Sequence, residues 1–317
     1  MLMKIWKYVK KAGQYISDRD YRFLINAELH LYDKMSDEEY IRRRYRAIFG
    51  KDINLENPQT ISEKLQWIKL YDRRPLYTLL VDKYLVKQYV TERIGEKYVI
   101  PLIGSWTDPE EIDFDNLPNQ FVLKCNHNSG TGMFICKNKS EIKDYSRIKR
   151  ALRRGLKEDK YLLTREWPYK NVKRRIIAEK YMEDIETGEL RDYKFFTGNG
   201  KVKGMFIASD RQAVNEETKF DFFDSDGHHL PFQNGHPNAL ITPKLPTHFE
   251  EMKQLAEVLA RGIPEVRVDF YEANGQVYFG EMTFFHWSGF TPYSPEEWDL
   301  KLGSWIELPQ MYFEEKE

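Results

Sequence analysis

The chain has 317 residues, 41% hydrophobic and 31% charged, which is typical of a globular protein with one large or two smaller domains. Its 49 basic and 50 acidic residues give a net charge of −1, so a general nucleic-acid binder is excluded. The only two cysteines, Cys125 and Cys136, imply no disulfide framework. Without a long apolar run or a signal-peptide core at the start, we expect a protein of the reducing cytoplasm.

Residues 1–15 carry four lysines among apolar residues. This pattern suits a short amphipathic helix on the inner face of an anionic membrane, a peripheral contact, or a segment that docks on its own domain. Further on, Thr60 and Glu63 have capping-box spacing and predict a helix through Leu70. A single helix is predicted next, from about Leu76 to Ile94.

From Phe121 onward, short apolar segments with turn residues between them predict a series of strands. Helices first and mostly antiparallel strands later predict an α+β fold rather than a doubly wound sheet. We predict a helical N-terminal region over 1–75, a main α+β domain over 76–309 and a C-terminal tail over 310–317. Strands are predicted at 121–125, 133–137, 175–181, 193–197, 201–209 and 219–223, with helices at 140–157 and 249–261.

Two apolar strands, 266–271 and 276–283, meet at the turn signal Asn274-Gly275, and each carries one carboxylate. A buried strand rarely carries a carboxylate unless the charge is paired or binds a metal. Asp269 and Glu281, with Arg267 two residues before the first, therefore predict a Mg²⁺ site that faces phosphate. An ordinary hairpin with two solvent-facing acids is the alternative.

The register of this hairpin tests the metal hypothesis. A plain two-residue turn would pair Asp269 with Gly280 and leave Glu281 on the opposite face. A three-residue loop or one β-bulge would bring both acids to the same face. We therefore predict an irregular turn here.

Three other segments carry candidate nucleotide contacts. Lys124 ends a strand before a loop of small residues, 125–132, whose backbone N–H groups could approach phosphate; a hairpin loop with a surface lysine is the alternative. The strand 176–182 could offer backbone groups to adenine, or could be an edge strand with surface charges. Lys194 lies among aromatic residues and either snorkels or faces phosphate.

In this order along the chain, the segments resemble the ATP-grasp superfamily, over roughly residues 76–290. The resemblance implies an ATP-grasp fold, in which two α+β subdomains clasp ATP, and the cofactors ATP and Mg²⁺. It implies that Arg267 and Lys194 act on the transferred phosphoryl group. Nucleotide contacts would come from Lys83, Lys124, Asn128, Ser129, Gly130, Thr131, Gly132, Glu179, Lys180, Tyr181, Met182 and Lys194, and metal contacts from Asp269, Glu281 and Thr283.

Two of these positions are unsettled. The superfamily usually has Asn where this chain has Thr283, and a hydroxyl is a poorer Mg²⁺ ligand than an amide carbonyl, which puts a second metal in doubt. The acid that would hold the ribose is open among Glu179, Glu183 and Glu186.

Within the superfamily, the sequence is similar to the TupA-like family, named for teichuronopeptide biosynthesis, over about residues 35–308. The similarity lies in segments such as Asn57–Thr60, Glu63–Trp67, Leu70–Arg73, Glu166–Tyr169 and Tyr278–Phe284. Members are found with bacterial capsule and cell-envelope polysaccharide genes. The resemblance implies a ligase that joins an amine donor to a sugar acid or glycan, such as a uronic acid, through an acyl phosphate.

Substrate residues are predicted from chemistry alone: aromatic side chains stack on sugars, and arginines pair with carboxylates. The candidates are Arg73, Asp210, Arg211, His286 and Trp287. We interpret the histidines at 228, 229 and 236 as loop residues because no cysteine or acid completes a tetrahedral set.

Two other functions compete with the ligase. Asp224-Ser225-Asp226 has the D-x-D form of a glycosyltransferase that uses a nucleotide sugar, although it also suits a surface turn. A sugar kinase would use the same ATP site.

Overall fold

The computed structural model describes residues 13–186, 188, 190–209 and 217–311. Its helices are α1 (Arg19–Glu28), α2 (Asp37–Phe49), α3 (Ile61–Tyr71), α4 (Pro75–Val81), α5 (Val86–Ile94), α6 (Tyr145–Lys157), α7 (Lys160–Thr164), α8 (Phe249–Leu259) and α9 (Glu297–Gly303). Its strands are β1 (Leu102–Trp106), β2 (Phe121–Cys125), β3 (Phe134–Cys136), β4 (Ile176–Lys180), β5 (Arg191–Gly198), β6 (Lys201–Ser209), β7 (Lys219–Asp224), β8 (His229–Leu230), β9 (Gln233–Asn234), β10 (Glu265–Ala273), β11 (Gln276–Thr283) and β12 (Tyr293–Ser294).

The strands form two main sheets and one short pair. The four-stranded sheet has the order β1-β4-β2-β3, and the six-stranded sheet has the order β11-β10-β5-β6-β7-β8. Neighbouring strands in both sheets are antiparallel, and β12 pairs with β9. The α+β class predicted from the sequence is confirmed.

The hairpin of β10 and β11 has the register that the metal hypothesis needs, but for a different reason from the one predicted. The turn is a regular two-residue turn, with Asn274 and Gly275 both at positive φ. The irregularity is a β-bulge inside the strand: Phe270 pairs with Phe279, whereas Asp269 pairs with Glu281. The predicted irregular turn is therefore wrong, and the alternative of one bulge is confirmed.

The predicted single helix from Leu76 to Ile94 is also wrong, because it breaks at Asp82 and Lys83. The Asp82 carboxylate accepts a hydrogen bond from Tyr84 N (2.8 Å) and another from the Asn126 side chain (2.8 Å). The backbone N–H of Lys83 donates to Asn126 O (3.1 Å). A side-chain acceptor that competes with the helical pattern ends α4 here, and the break places Lys83 in a loop beside the sheets.

The helical region is packed onto the six-stranded sheet. One buried apolar cluster extends from Ile41 in α2 through α3 to Phe284 and Ile306. The first turn of α3 is held by the C-terminal helix α9, because Ser62 N donates to the Asp299 carboxylate (2.9 Å). The predicted capping box of α3, Thr60 with Glu63, is present.

Two predictions about the ends of the chain lie largely outside the described residues. They are the membrane-facing helix over residues 1–15, of which 1–12 are not described, and the tail over 310–317, of which 312–317 are not described. In the part that is described, no helix has the length and apolar character that crossing a membrane requires.

Candidate active site

Three adjacent strands bring a lysine and two carboxylates into one row across the six-stranded sheet. Lys194 on β5 pairs with Asp269 on β10, which pairs with Glu281 on β11. The Lys194 ammonium contacts Asp269 and lies 2.6 Å from the Asp192 carboxylate. The structure thus brings together the residues that the sequence analysis assigned to metal and phosphate, and adds Asp192, which it missed.

Arg267 lies two residues before Asp269 on the same face of β10, and it is hydrogen-bonded to the Asp269 carboxylate. Its Nε and Nη2 donate to both oxygens of Asp269 (2.6 and 2.7 Å), and its Nη1 donates to His286 Nδ1 (2.9 Å). A bidentate pair of this kind fixes the plane of the guanidinium. Arg267 is therefore held by Asp269 on one side and by His286 on the other.

Lys83 connects the two sheets. Its ammonium lies 3.0 Å from the Glu281 carboxylate and donates to Asn128 O (3.0 Å) in the loop after β2. Burial alone would raise the pKa of Glu281, but the positive charges of Lys83, Lys194 and Arg267 outweigh it and hold the pKa well below its usual range. Glu281 is thus ionised and surrounded by cations.

A second charge cluster lies in the four-stranded sheet. Glu179 on β4 is 5% exposed, and its two oxygens lie 2.7 Å from Lys87 Nζ and 2.6 Å from Lys124 Nζ. Burial would raise the pKa of Glu179, but Lys124 and Lys87 lower it overall. Because β4 lies between β1 and β2, the edge-strand interpretation is wrong.

In this cluster Glu179 is an ion-pair partner of two lysines. Both oxygens of Glu179 are paired with lysines, and the acid that would hold the ribose stays open among Glu179, Glu183 and Glu186. Sequence analysis missed Lys87; its position four residues after Lys83 was the available signal.

The loop after β2 is fixed on one side and exposed on the other. Asn126, His127 and Asn128 are buried; Asn128 donates to Gly155 O (3.0 Å) and to the Glu158 carboxylate (3.1 Å). The next three residues, 129–131, are exposed. Residues 129–131 are therefore the solvent-exposed part of this loop, whereas 126–128 are held by the surrounding structure.

The backbone predicted to hold adenine comprises Lys180, the last residue of β4, and the residues that follow it. The N–H of Lys180 donates to Pro101 O (3.0 Å), so it is not free for a base. Tyr181 and Met182 are half-buried just beyond the strand.

The predicted metal ligand Thr283 is hydrogen-bonded within the central row. Its hydroxyl accepts from Arg267 Nη2 (3.1 Å) and donates to Glu281 (3.3 Å), so it is part of the charged network.

The predicted substrate residues fall into three groups. His286 is buried beside Arg267, and Trp287 is 42% exposed next to it. Arg73 lies away from these groups, paired with Asp37 of α2 (2.7 Å) and bound to Lys69 O (3.0 Å). Asp210 and Arg211 lie outside the described residues.

The Asp224-Ser225-Asp226 segment forms a turn after β7. The Asp224 carboxylate accepts from the backbone N–H groups of Asp226 and His228 (both 2.9 Å), as expected for a surface turn. Within the described ranges, Asp224, Asp226 and His228 do group their ligand atoms within 4.8 Å of one another. Acids therefore lie beside His228, but three ligands do not complete a tetrahedral set.

The residues of the central row fit Mg²⁺ by their donor chemistry. Glu281 and Asp269 are paired carboxylates on one face, and Mg²⁺ takes oxygen ligands of this kind. Glu281 is the accessible one, with 28% of its side chain exposed, whereas the Asp269 side chain is 1% exposed. Lys83 pairs with Glu281, whereas Lys194 and Arg267 pair with Asp269, and these two carboxylates would hold the ion.

Two antiparallel sheets that each carry a cluster of paired lysines and carboxylates are the features of this site that a phosphate-handling enzyme requires. A family profile, TupA-like ATP-grasp, matches residues 63–307. The chain belongs to the TupA-like ATP-grasp family, and it is therefore an ATP-grasp ligase of the class that joins a carboxylate to an amine using ATP. No curated protein matches the sequence significantly.

Solved structures of ATP-grasp ligases are distantly similar. The D-alanine–D-alanine ligase of Bacillus anthracis in complex with ATP is 14% identical, with 76% of this chain and 69% of that chain covered and a TM-score of 0.40. The ATP-grasp ligase PsnB with its minimal precursor is 11% identical, with 71% and 59% covered and a TM-score of 0.39. The D-alanine–D-alanine ligase of Helicobacter pylori is 15% identical, with 74% and 60% covered and a TM-score of 0.39. The family assignment rests on the profile.

Glu265, on the same face of β10 as Arg267 and Asp269, is a buried acid that the sequence analysis missed. It is 4% exposed and accepts a hydrogen bond from Phe285 N (3.4 Å). Burial raises the pKa of Glu265 to about 8, so its carboxyl group is largely protonated at neutral pH.

We expect Glu265→Gln to remove a pH dependence of stability. Between an unfolded-state pKa of about 4.3 and the folded value, the native protein binds more protons than the unfolded chain, so stability falls as pH rises, by up to about 1.4 kcal/mol per pH unit. Urea unfolding of the wild type and the variant at pH 5.5, 7 and 8 measures this. The free energy of unfolding of the variant, relative to that of the wild type, should increase as the pH rises. If the free energies of unfolding of the two proteins change with pH in the same way, Glu265 is not protonated in the folded protein.

Proposed function

We propose that this protein is an ATP- and Mg²⁺-dependent ligase that forms an amide on a sugar acid, such as a uronic acid, in capsule or cell-envelope polysaccharide synthesis. The observation that carries the ATP chemistry is the row of Lys194, Asp269 and Glu281, closed by Lys83 from the opposite side. The family match supports the ligase class, and the sugar acid is part of the proposal, taken from the resemblance to teichuronopeptide biosynthesis.

The reaction has two steps in this proposal. The sugar carboxylate attacks the γ-phosphate of ATP to give an acyl phosphate and ADP, and an amine then displaces phosphate to give the amide. Mg²⁺ at Asp269 and Glu281 would supply charge neutralisation to the phosphates when bound. Catalysis then depends mainly on positioning and on fixed charge.

The protein's own residues supply most of that charge. Lys83, Lys124 and Lys194 would neutralise phosphate oxygens, and Arg267 would stabilise the transferred phosphoryl group or the later oxyanion. The exposed segment 129–131 would cover the phosphates and keep water from the acyl phosphate.

His286 is a neutral ring buried beside Arg267. The positive charge of Arg267 and above all burial hold the pKa of His286 well below its usual range, so the ring is neutral. Its Nδ1 accepts from Arg267, which leaves the proton on Nε2, and Nε2 has no hydrogen-bond partner among the described residues. The ring therefore serves to orient the Arg267 guanidinium.

The first experiment compares ligands by thermal shift of the purified protein. ATP with Mg²⁺ should raise the melting temperature, and an Asp224→Ala variant should respond equally. ADP release is then assayed with glucuronic or galacturonic acid and a panel of amino-acid amines, and the products are identified by mass spectrometry. An amide with free phosphate supports the ligase, and a phosphosugar would mean a kinase.

The glycosyltransferase alternative has an observation in its favour, the grouping of Asp224, Asp226 and His228. It predicts stabilisation by a UDP-sugar with Mn²⁺, lost in Asp224→Ala, and no response to ATP. That result would overturn the proposed function.

A further inference from the structure

The segment that follows β11, residues 285–289, has an unusual backbone. Phe285, Trp287 and Ser288 all have positive φ (59°, 49° and 56°), followed by Gly289 at 62°. Non-glycine residues in this region are strained, and they persist only where the surrounding structure holds them there. Three such residues lie in the segment that also carries His286, so contacts with the surrounding structure must stabilise this backbone conformation.

Two buried side chains from helix α3 hold this turn. The Lys69 ammonium donates to Ser288 O (2.6 Å) and to Thr164 O (3.0 Å), and Gln66 Nε2 donates to Ser288 O (2.9 Å) and Gly289 O (3.0 Å). Both side chains are almost completely buried, Lys69 at 1% and Gln66 at 0% exposure.

The fit is close and is shared with other elements. A Cβ at Gly289 would lie 2.6 Å from Gln66 Nε2, so that position accepts only glycine at this approach. Ser288 Oγ donates to Glu166, and the Lys69 ammonium lies 4.4 Å from the centre of the Phe290 ring. Burial lowers the pKa of Lys69 to about 7, so this lysine is costly to keep where it is.

We propose, on the basis of the proposed ligase function, that Lys69 and Gln66 are positioning residues: they hold the 285–289 turn, and through His286 they fix the orientation of Arg267. The turn places His286 Nδ1 2.9 Å from the Arg267 guanidinium. The helical region before residue 75 is then a structural part of the active site, because its helix α3 sets the geometry of a group that faces the reaction.

Lys64 provides a matched control on the same helix. It also donates to two backbone carbonyls, Gly303 O and Ile306 O (both 2.8 Å), but these belong to α9 and the segment after it. Lys64→Met therefore removes the same kind of contact as Lys69→Met without touching the 285–289 turn. Gln66→Met is the second test variant, in case Lys69→Met does not fold.

Two readouts on the full-length proteins decide the proposal. Hydrogen exchange of the peptide covering 284–291 should be faster in Lys69→Met and Gln66→Met than in wild type, and unchanged in Lys64→Met. In ADP release with an acid–amine pair that wild type accepts, kcat should fall about 10- to 100-fold in the two test variants, with KM for ATP within about threefold.

Each result separates the two hypotheses. Wild-type exchange at 284–291 in both test variants, or an equal kcat loss in Lys64→Met, would overturn the positioning role. If wild type releases no ADP with any acid–amine pair, the proposed function fails, and the exchange comparison alone still decides whether α3 holds the turn.

Discussion

Glu281→Gln should lower ATP turnover by about 100-fold while the protein stays folded. Its carboxylate lies 3.0 Å from Lys83 and 3.7 Å from Arg267 Nη2, at the accessible end of the charged row. An amide there removes the negative charge that a divalent ion needs, and loss of one such fixed charge costs on the order of 100-fold in rate. Because Lys83, Lys194 and Arg267 hold the pKa of Glu281 well below its usual range, the variant should also lose some stability, and its melting temperature is measured beside turnover. Steady-state ADP release measures the effect.

The matched control is Glu272→Gln on the same hairpin. Glu272 accepts from Thr247 N and His248 N (both 3.2 Å), away from the charged row, so the variant should retain wild-type turnover. Wild-type ADP release in Glu281→Gln, at saturating ATP and Mg²⁺, would show that Glu281 does not bind the metal.

Asp269→Asn is a poorer test, although the sequence suggests the two acids are equivalent. Asp269 is fully buried, and it receives Arg267 through two hydrogen bonds and contacts Lys194. Removing its charge leaves the buried Arg267 without its bidentate partner and Lys194 with Asp192 alone, and breaking a buried pair in this way costs about 3–5 kcal/mol. Lost activity in that variant would therefore mix lost chemistry with lost stability.

Much of the site could be predicted because it is local in the sequence. The hairpin carboxylates, Asp269 and Glu281, were found from their place in two apolar strands around Asn274-Gly275. The turn, however, does not bring Asp269 and Glu281 to the same face of the hairpin; the bulge does. The bulge at Gly280 depends on close packing, since a Cβ there would lie 3.0 Å from Asp269 O and 3.1 Å from the Tyr271 ring. Contacts of this kind cannot be seen in a turn signal.

Other features depend on partners distant in sequence, and these were missed. The break between α4 and α5 requires Asn126, more than forty residues later, to bind Asp82. Lys69 lies in an apolar helical run where it could have been a surface residue, and its role depends on carbonyls at Thr164 and Ser288. The sequence shows residue types and periods, whereas these contacts require the chain to fold back on itself.

Glu179→Gln should cause the largest loss of stability in the four-stranded sheet. Glu179 is buried between Lys87 and Lys124, and burial also lowers the pKa of Lys87, so both ammonium groups need the carboxylate. Replacing it with an amide leaves two cations facing each other, and we expect the free energy of unfolding to fall by about 3 kcal/mol or more. Urea unfolding at pH 7 measures this.

The double variant Glu179→Gln/Lys87→Met separates charge from packing. Removing Lys87 relieves the repulsion and removes a desolvated amine, so the double variant should be more stable than Glu179→Gln alone. As a surface control, Glu183→Gln removes an exposed acid a few residues along and should leave unfolding unchanged. If Glu179→Gln is as stable as wild type, or if adding Lys87→Met gives no recovery, the cluster does not hold Lys124 through charge, and the phosphate role of Lys124 would need another source of orientation.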